Sequence, residues 1–296
     1  MSAWLVTGAQ GMLGRDVVAV LEAAGERVQP CTRAELDVTD GAAVAGALGA
    51  VRPSVVVNCA AWTDVDGAEQ AEPEAHRQNA EAPRLLARAC ARNGARLLHL
   101  STDYVFPGTH RLPYAEDAPT GPRTAYGRTK LAGEQAVLAE LPAAGAVVRT
   151  AWLYGRHGHN FVRTMAGRAL AGATVDVVDD QHGQPTWTRD VARHLLALGR
   201  ADEPATGVHH STSAGRTTWY EFAREVFQRC GADPARVRPV SSAALARAAP
   251  RPAWSVLMQK RTPAPHQPAP RDWREVLAEA LPHVVPSGAP NFEGES

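Results

Sequence analysis

The sequence has no CxxC pair. Its four cysteines, Cys31, Cys59, Cys90 and Cys230, are scattered, which excludes a disulfide or zinc framework and reads as thiols in a reducing compartment. It has no excess of either charge, 31 basic against 31 acidic residues, so no global field draws it to nucleic acid or an anionic membrane. No apolar run approaches the ~20 residues of a membrane span, and MSAWLVTGAQGMLG lacks the basic and long apolar stretches of a secretion signal. These absences predict a cytoplasmic protein with neither nucleic acid nor membrane as a partner. Internal repeats and low-complexity arrays are also missing. What remains is globular composition, 45% hydrophobic and 21% charged over 296 residues, enough to bury a large core.

Short apolar runs at 3–8, 54–60, 95–101 and 146–150 alternate with helical patterns at 13–25, 44–51, 83–94 and 126–141. Near-continuous Val and Leu runs bounded by turn residues fit strands buried on both faces, which belong to a parallel sheet covered by helices. The predicted fold class is therefore α/β, a doubly wound Rossmann-type parallel sheet. After about residue 150 the rhythm loosens. A capped helix is expected over 217–231, the Pro-rich 261–270 reads as an extended connection, and the last residues have tail composition. The expected division is 1–151 for dinucleotide binding and 152–285 for a smaller C-terminal substrate-binding lobe with some return to the sheet, followed by a tail at 286–296.

TGAQGMLG places Gly8, Gly11 and Gly14 after the first strand and at the head of a helix. A lone GxxGxxG is weak, but here the glycines allow a tight turn and the helix start offers unpaired N–H groups to a pyrophosphate. Gln10, Met12 and Leu13 of the same turn join the candidate cofactor-binding set. After the second strand, where an acid would bind the ribose of NAD, stand Thr32 and Arg33. A hydroxyl and a guanidinium suit a 2′-phosphate, so NADPH is the expected cofactor, with NADH use left open.

In AYGRTKLAGE, Tyr126 and Lys130 are four residues apart on one helix face. The pair occurs on many solvated helices, and only context gives it a chemical reading. A phenol with an ammonium one turn away is a proton donor whose pKa the lysine would lower. A hydroxyl at the end of the strand ARLLHLS would hold a substrate carbonyl, with Thr102 preferred and Ser101 the alternative. His99 is assigned to the core or to support of the site. Trp187 and Trp219 are assigned to structure, and HGH at 157–159 lacks a third partner for a metal.

With LDV at 36–38, NCAAWTDVD at 58–66, STDYVFPG at 101–108, DDQHGQPT at 179–186 and PRPAWSVL at 250–257 in series, the sequence resembles the extended short-chain dehydrogenase/reductase superfamily and, within it, the dTDP-4-dehydrorhamnose reductase family, from residue 3 to about 280. The resemblance implies NADPH-dependent reduction of the C4 ketone of a dTDP-sugar, dTDP-4-dehydro-L-rhamnose. It implies Thr102, Tyr126 and Lys130 as the catalytic set, Lys130 also bonding the nicotinamide ribose. Asp37 and Val38 would line the adenine pocket, and Asn58, Ala60 and Ala61 would lie against the cofactor ribose. Val65, Asp103, Tyr104 and Trp152 fall at substrate positions, and Asn160 and Arg251 at pyrophosphate positions by a looser analogy. Asp16 and Asp190 fall near positions where relatives gather magnesium at a dimer interface. No metal is assigned, and a homodimer is left open. Two alternatives stand beside this reading: a 4-ketoreductase of another dTDP-deoxysugar, and a noncatalytic NADP-binding regulatory subunit.

Overall fold

The computed structural model describes residues 3–245, 247–260 and 269–285. Most of the expected Pro-rich connection, 261–268, and the expected tail lie outside them. The first half alternates as anticipated: β1 Ala3–Thr7, α1 Met12–Ala23, β2 Arg27–Cys31, α2 Gly41–Val51 and β3 Val55–Asn58. Then follow α3 Val65–Gln70, α4 Glu72–His76, α5 Ala82–Asn93, β4 Arg96–Thr102, α6 Ala125–Glu140 and β5 Gly145–Thr150. A π-helical turn at Arg77–Glu81 joins α4 to α5. The C-terminal half holds β6 Leu153–Tyr154, α7 Phe161–Leu170, β7 Val175–Val178, β8 His182–Gly183, β9 Thr186–Trp187, α8 Thr188–Arg200 and β10 Gly207–His210. It ends with β11 Thr217–Thr218, α9 Trp219–Arg229, β12 Val237–Val240 and α10 Trp273–Val284.

Six parallel strands form the main sheet in the order β10-β5-β4-β3-β1-β2. Every residue of β1, β3 and β5 is buried, which is why these strands read as continuous apolar runs. Alternate side chains feed two cores. Leu5, Val56, Leu97 and Val147 meet α2 and α5 on one face. Trp4, Val6, Val57 and Val148 meet Leu13, Val17 and Leu21 of α1 and Leu195 of α8 on the other. A third core, around Phe222, Val226, Trp273 and Val276, holds α7, α9 and α10 together.

Local chemistry sets where helices begin. Asp40 caps α2 by accepting from the Ala42 and Ala43 amides at 2.8 and 3.2 Å, and Thr124 caps α6 through the Gly127 amide at 3.0 Å. On α9, Thr218 caps the Glu221 amide at 3.1 Å and Glu221 Oε2 accepts from Thr217 Oγ1 at 3.1 Å, so the start of this helix is fixed from both sides. Strand β2 leaves β1 on one side while β3 lies on the other, and the crevice between β1 and β3 is where the strand order reverses. Ligands of such sheets bind at that crevice, beyond the carboxyl ends of the strands.

Candidate active site

At the mouth of this crevice the Gly8 backbone has φ +64°, and a Cβ there would stand 2.7 Å from the Ala60 nitrogen. A Cβ on Gly14 would stand 2.2 Å from the Gly8 carbonyl oxygen. The turn is therefore pressed backbone to backbone, and α1 follows the N-cap Gly11 with no side chain capping its first N–H groups. This cradle fits a dinucleotide pyrophosphate. Gln10 is exposed and Met12 half-buried. The Leu13 side chain is in the core, so only its backbone faces the turn.

Further along, the Thr32 amide donates to Glu35 Oε2 at 2.8 Å and Arg33 is exposed. Hydrogen bonds from Thr39 at 2.9 and 2.7 Å hold the Asp37 carboxyl below the usual range, and Arg33 and Arg77 add to the effect. Val38 packs into the core beside Leu36. Asn58 is 1% exposed. It accepts from Thr7 Oγ1 at 2.6 Å and the Ala60 amide at 3.1 Å, and donates to His99 Nδ1 at 3.0 Å. The Asn58 side chain thus ties three strands together and holds Ala60 in place.

Helix α6 brings Tyr126 and Lys130 to the end of β4, where Lys130 Nζ donates to the Leu100 carbonyl at 2.6 Å. Ser101 Oγ points away, donating to Glu134 Oε1 at 2.5 Å. Thr102 Oγ1 accepts from the Tyr104 amide at 3.2 Å and donates to Asp103 Oδ1 at 3.0 Å. Its hydroxyl also lies close enough to the Tyr126 phenol to favour the phenolate. Of the two candidate hydroxyls, Thr102 is therefore the one beside Tyr126. Burial pushes Tyr126 up to about 12, the Thr102 hydroxyl opposes that, and the Asp103 carboxylate adds to it. The expected lowering by Lys130 is not found: the ammonium is engaged at Leu100, and burial sets the direction for Tyr126. Lys130 itself is drawn down to about 8 by burial.

Asp103, expected at the substrate, lies behind Thr102 and is 2% exposed. Burial raises its carboxyl to about 6, tempered by hydroxyls of Ser255 and Thr102. A carboxyl whose folded pKa exceeds its unfolded one favours the fold at low pH, and that contribution is lost as pH rises through the folded value. Two units correspond to roughly 3 kcal/mol. Asp103→Asn is accordingly expected to raise the melting temperature at pH 8, and the gain should vanish below about pH 4. Equal gains at both pH values in thermal melts would rule this account out.

Beyond Tyr126 opens a cavity of about 750 Å³ lined by Tyr104, Arg111, Arg123, Arg216 and Arg251 among others. The Tyr104 ring meets that of Tyr126 edge-on at 5.7 Å. Arg251 is oriented by a bidentate pair with Asp66, 3.1 and 2.5 Å. Four arginines from three separate segments suit a diphosphate. The sequence reading found Arg251 and missed the other three, which lie in loops without periodicity. Trp152, at φ 45°, stacks on Trp219 with centroids 3.7 Å apart and rests against Gly183, next to the cavity-lining His182. Trp219 is thus part of the same aromatic wall. Val65 is half-buried at the start of α3.

Asn160 departs from its expected place. Its Oδ1 accepts from the Arg163 amide at 3.2 Å and its Nδ2 donates to the Gly155 carbonyl at 2.9 Å, so the amide caps α7 and does not line the arginine cavity. Asp16 accepts from Thr188 Oγ1, and Asp190 pairs with Arg271 at 2.9 Å and Arg193 at 3.0 Å. Among the described residues, no cluster of three or more His, Cys, Asp or Glu is placed to hold a metal.

The family model for the RmlD substrate binding domain matches residues 2–285. The chain belongs to this RmlD family. Among its relatives, dTDP-4-dehydrorhamnose reductase of Streptomyces griseus is 56% identical over 94% of this chain and 93% of its own. The dTDP-4-keto-6-deoxy-D-glucose reductase of Streptomyces niveus is 52% identical over 94% and 96%. The crystal structure of dTDP-4-dehydrorhamnose reductase from Bacillus anthracis in complex with NADP superposes with a TM-score of 0.90 at 32% identity, covering 95% of this chain and 98% of that one. The RmlD family assignment thus spans both the sheet that carries the glycine turn and the segments that carry the arginines. Among the described residues no helix is long and apolar enough to cross a membrane.

Proposed function

We propose that this chain reduces the C4 ketone of dTDP-4-dehydro-L-rhamnose with NADPH, forming dTDP-L-rhamnose. The observation that carries the reading is the meeting of Thr102, Tyr126 and Lys130 at a strand end beside an arginine-lined cavity. When bound on the glycine turn, the reduced dinucleotide supplies the hydride. Hydride arrival at C4 builds alkoxide character on the sugar oxygen, and Tyr126 delivers the proton that this oxygen needs. Its high pKa keeps it protonated until that charge develops. Thr102 turns its hydroxyl proton from Asp103 to the carbonyl oxygen and holds the ketone in line. Lys130 places a positive charge beneath both groups, and Arg251 with its neighbours holds the diphosphate. In this proposal residues 1–151 bind the cofactor, and 152–285 chiefly build the sugar-nucleotide side, with β10 returning to the main sheet. A cytoplasmic enzyme, and a homodimer, complete it.

A second reading keeps the chemistry and changes the sugar, since one relative at 52% identity is named for dTDP-4-keto-6-deoxy-D-glucose. Stereochemistry depends on pocket shape more than on the reacting groups. The deciding experiment follows loss of reduced nicotinamide absorbance with each 4-keto sugar nucleotide and identifies the product by NMR. Turnover to dTDP-L-rhamnose supports the first reading; preference for the other ketosugar replaces it with the second. Cofactor choice has its own test. Arg33→Ala is expected to raise KM for NADPH about tenfold while leaving that for NADH within about twofold, because only the former offers a 2′-phosphate. Equal changes for both cofactors in initial-rate kinetics would remove Arg33 from that role.

A further inference from the structure

The face of α6 that carries Tyr126 and Lys130 continues to Glu134, one more turn along. Its carboxylate is buried and accepts three hydrogen bonds: from Ser101 Oγ at 2.5 Å, Arg149 Nε at 2.8 Å and Arg149 Nη2 at 2.6 Å. Arg149 comes from β5, its side chain 4% exposed. It donates onward to the Glu116 carbonyl at 3.3 Å and lies over the Phe106 ring at 4.9 Å. Three successive residues at the end of β4 are thereby tied to one helix face. Leu100 is bound by Lys130, Ser101 by Glu134, and Thr102 meets Tyr126. A buried ion pair is weak evidence for stability, because desolvation offsets much of its attraction. Its position behind the reacting groups points to another use.

We propose that Glu134, fixed by Arg149, is a positioning residue for the reduction: it locks the Ser101–Thr102 strand end to the Tyr126 helix and sets a negative charge one helical turn from Lys130. The proposal rests on the reading of Tyr126 and Lys130 given above. The ionisable groups that act on Lys130 or are acted on by it come from three elements: Glu134 on α6, Cys59 beyond β3 and His99 on β4. Burial pushes the Cys59 thiol up to about 12, and burial together with Lys130 holds His99 well below its usual range. Both are uncharged near neutral pH. Glu134 is then the anion among them, and its charge opposes the pull of burial on Lys130. Arg149 reaches the same carboxylate from β5 with two hydrogen bonds.

The sequence contains two lysines, Lys130 and Lys260, so protein labelled with 13C-lysine yields two ε-methylene signals that can be titrated separately. Lys260 is exposed, 64% by side chain, and serves as the internal reference. Glu134→Gln alone strands a buried guanidinium and is apt to unfold the protein. The informative variant is Glu134→Gln/Arg149→Met, which removes both charges. In the wild type the Lys130 midpoint is expected near 8. In the double variant it should fall by about one unit, with the alkaline limb of the kcat profile moving equally. Ser101→Ala, which removes the tie without altering charge, should lower kcat about tenfold with no change in midpoint. An unchanged Lys130 midpoint in the folded double variant overturns the electrostatic role, and an unchanged kcat in Ser101→Ala overturns the locking role. The lysine titration needs no substrate, so it stands or fails separately from the assignment of the ketosugar.

Discussion

Tyr126→Phe is expected to lower kcat by at least about 10³-fold, the upper part of the range for loss of a general acid. NADPH binding, followed by fluorescence titration, should stay within about twofold, since the ring and its packing are retained. The ring is half-buried, and its hydroxyl lies beside Thr102. Removing it leaves Thr102 and Asp103 hydrogen-bonded to each other at 3.0 Å, so no buried polar group is stranded and the fold should hold. That separates chemistry from stability. A residual rate within tenfold of wild type would mean that another group protonates the sugar oxygen. A wild-type protein that binds NADPH yet turns over no 4-keto sugar nucleotide would instead favour the noncatalytic alternative.

The sheet was legible in the sequence because parallel strands buried on both faces leave uninterrupted apolar runs such as Val55–Val57, all 2% exposed or less. The glycine turn was legible because it follows the first strand. Helices α3 and α4 and the π-helical turn were not, since VDGAEQ and EPEAH carry no apolar stripe and are held by tertiary contacts such as Glu72 with Arg128 at 2.7 Å. The reacting trio was readable through local spacing plus family motifs. Its electrostatics were not, because a one-turn separation says nothing about burial, and burial decides the direction for Tyr126 and Lys130 alike. Glu134 stood within the same motif as Tyr126, yet its partner Arg149 lies 15 residues on, in another strand. The arginines of the cavity, from residues 111, 123, 216 and 251, converge only in the fold.

Gly14→Ala carries the other large expected effect. The added methyl would stand 2.2 Å from the Gly8 carbonyl oxygen and 2.9 Å from Ala9 Cα, all backbone, so no flexible side chain can yield. The turn must open or α1 must tilt. Tilting α1 disturbs its contact with α8 and the core around Val17 and Leu21, and overpacking of this kind costs roughly 3 kcal/mol. Opening the turn moves the amides at the start of α1, whose alignment is what a pyrophosphate requires. Affinity for NADPH is therefore expected to fall more than about 100-fold, or ~3 kcal/mol. Gly46→Ala supplies the contrast. It sits in α2 with nothing within 4 Å of the added Cβ, and alanine there should stabilise by about 0.5–1 kcal/mol without touching cofactor affinity. If Gly14→Ala bound NADPH as tightly as the wild type while Gly46→Ala behaved as described, the close-packed turn would be a packing device for α1 and the pyrophosphate would have to be held elsewhere.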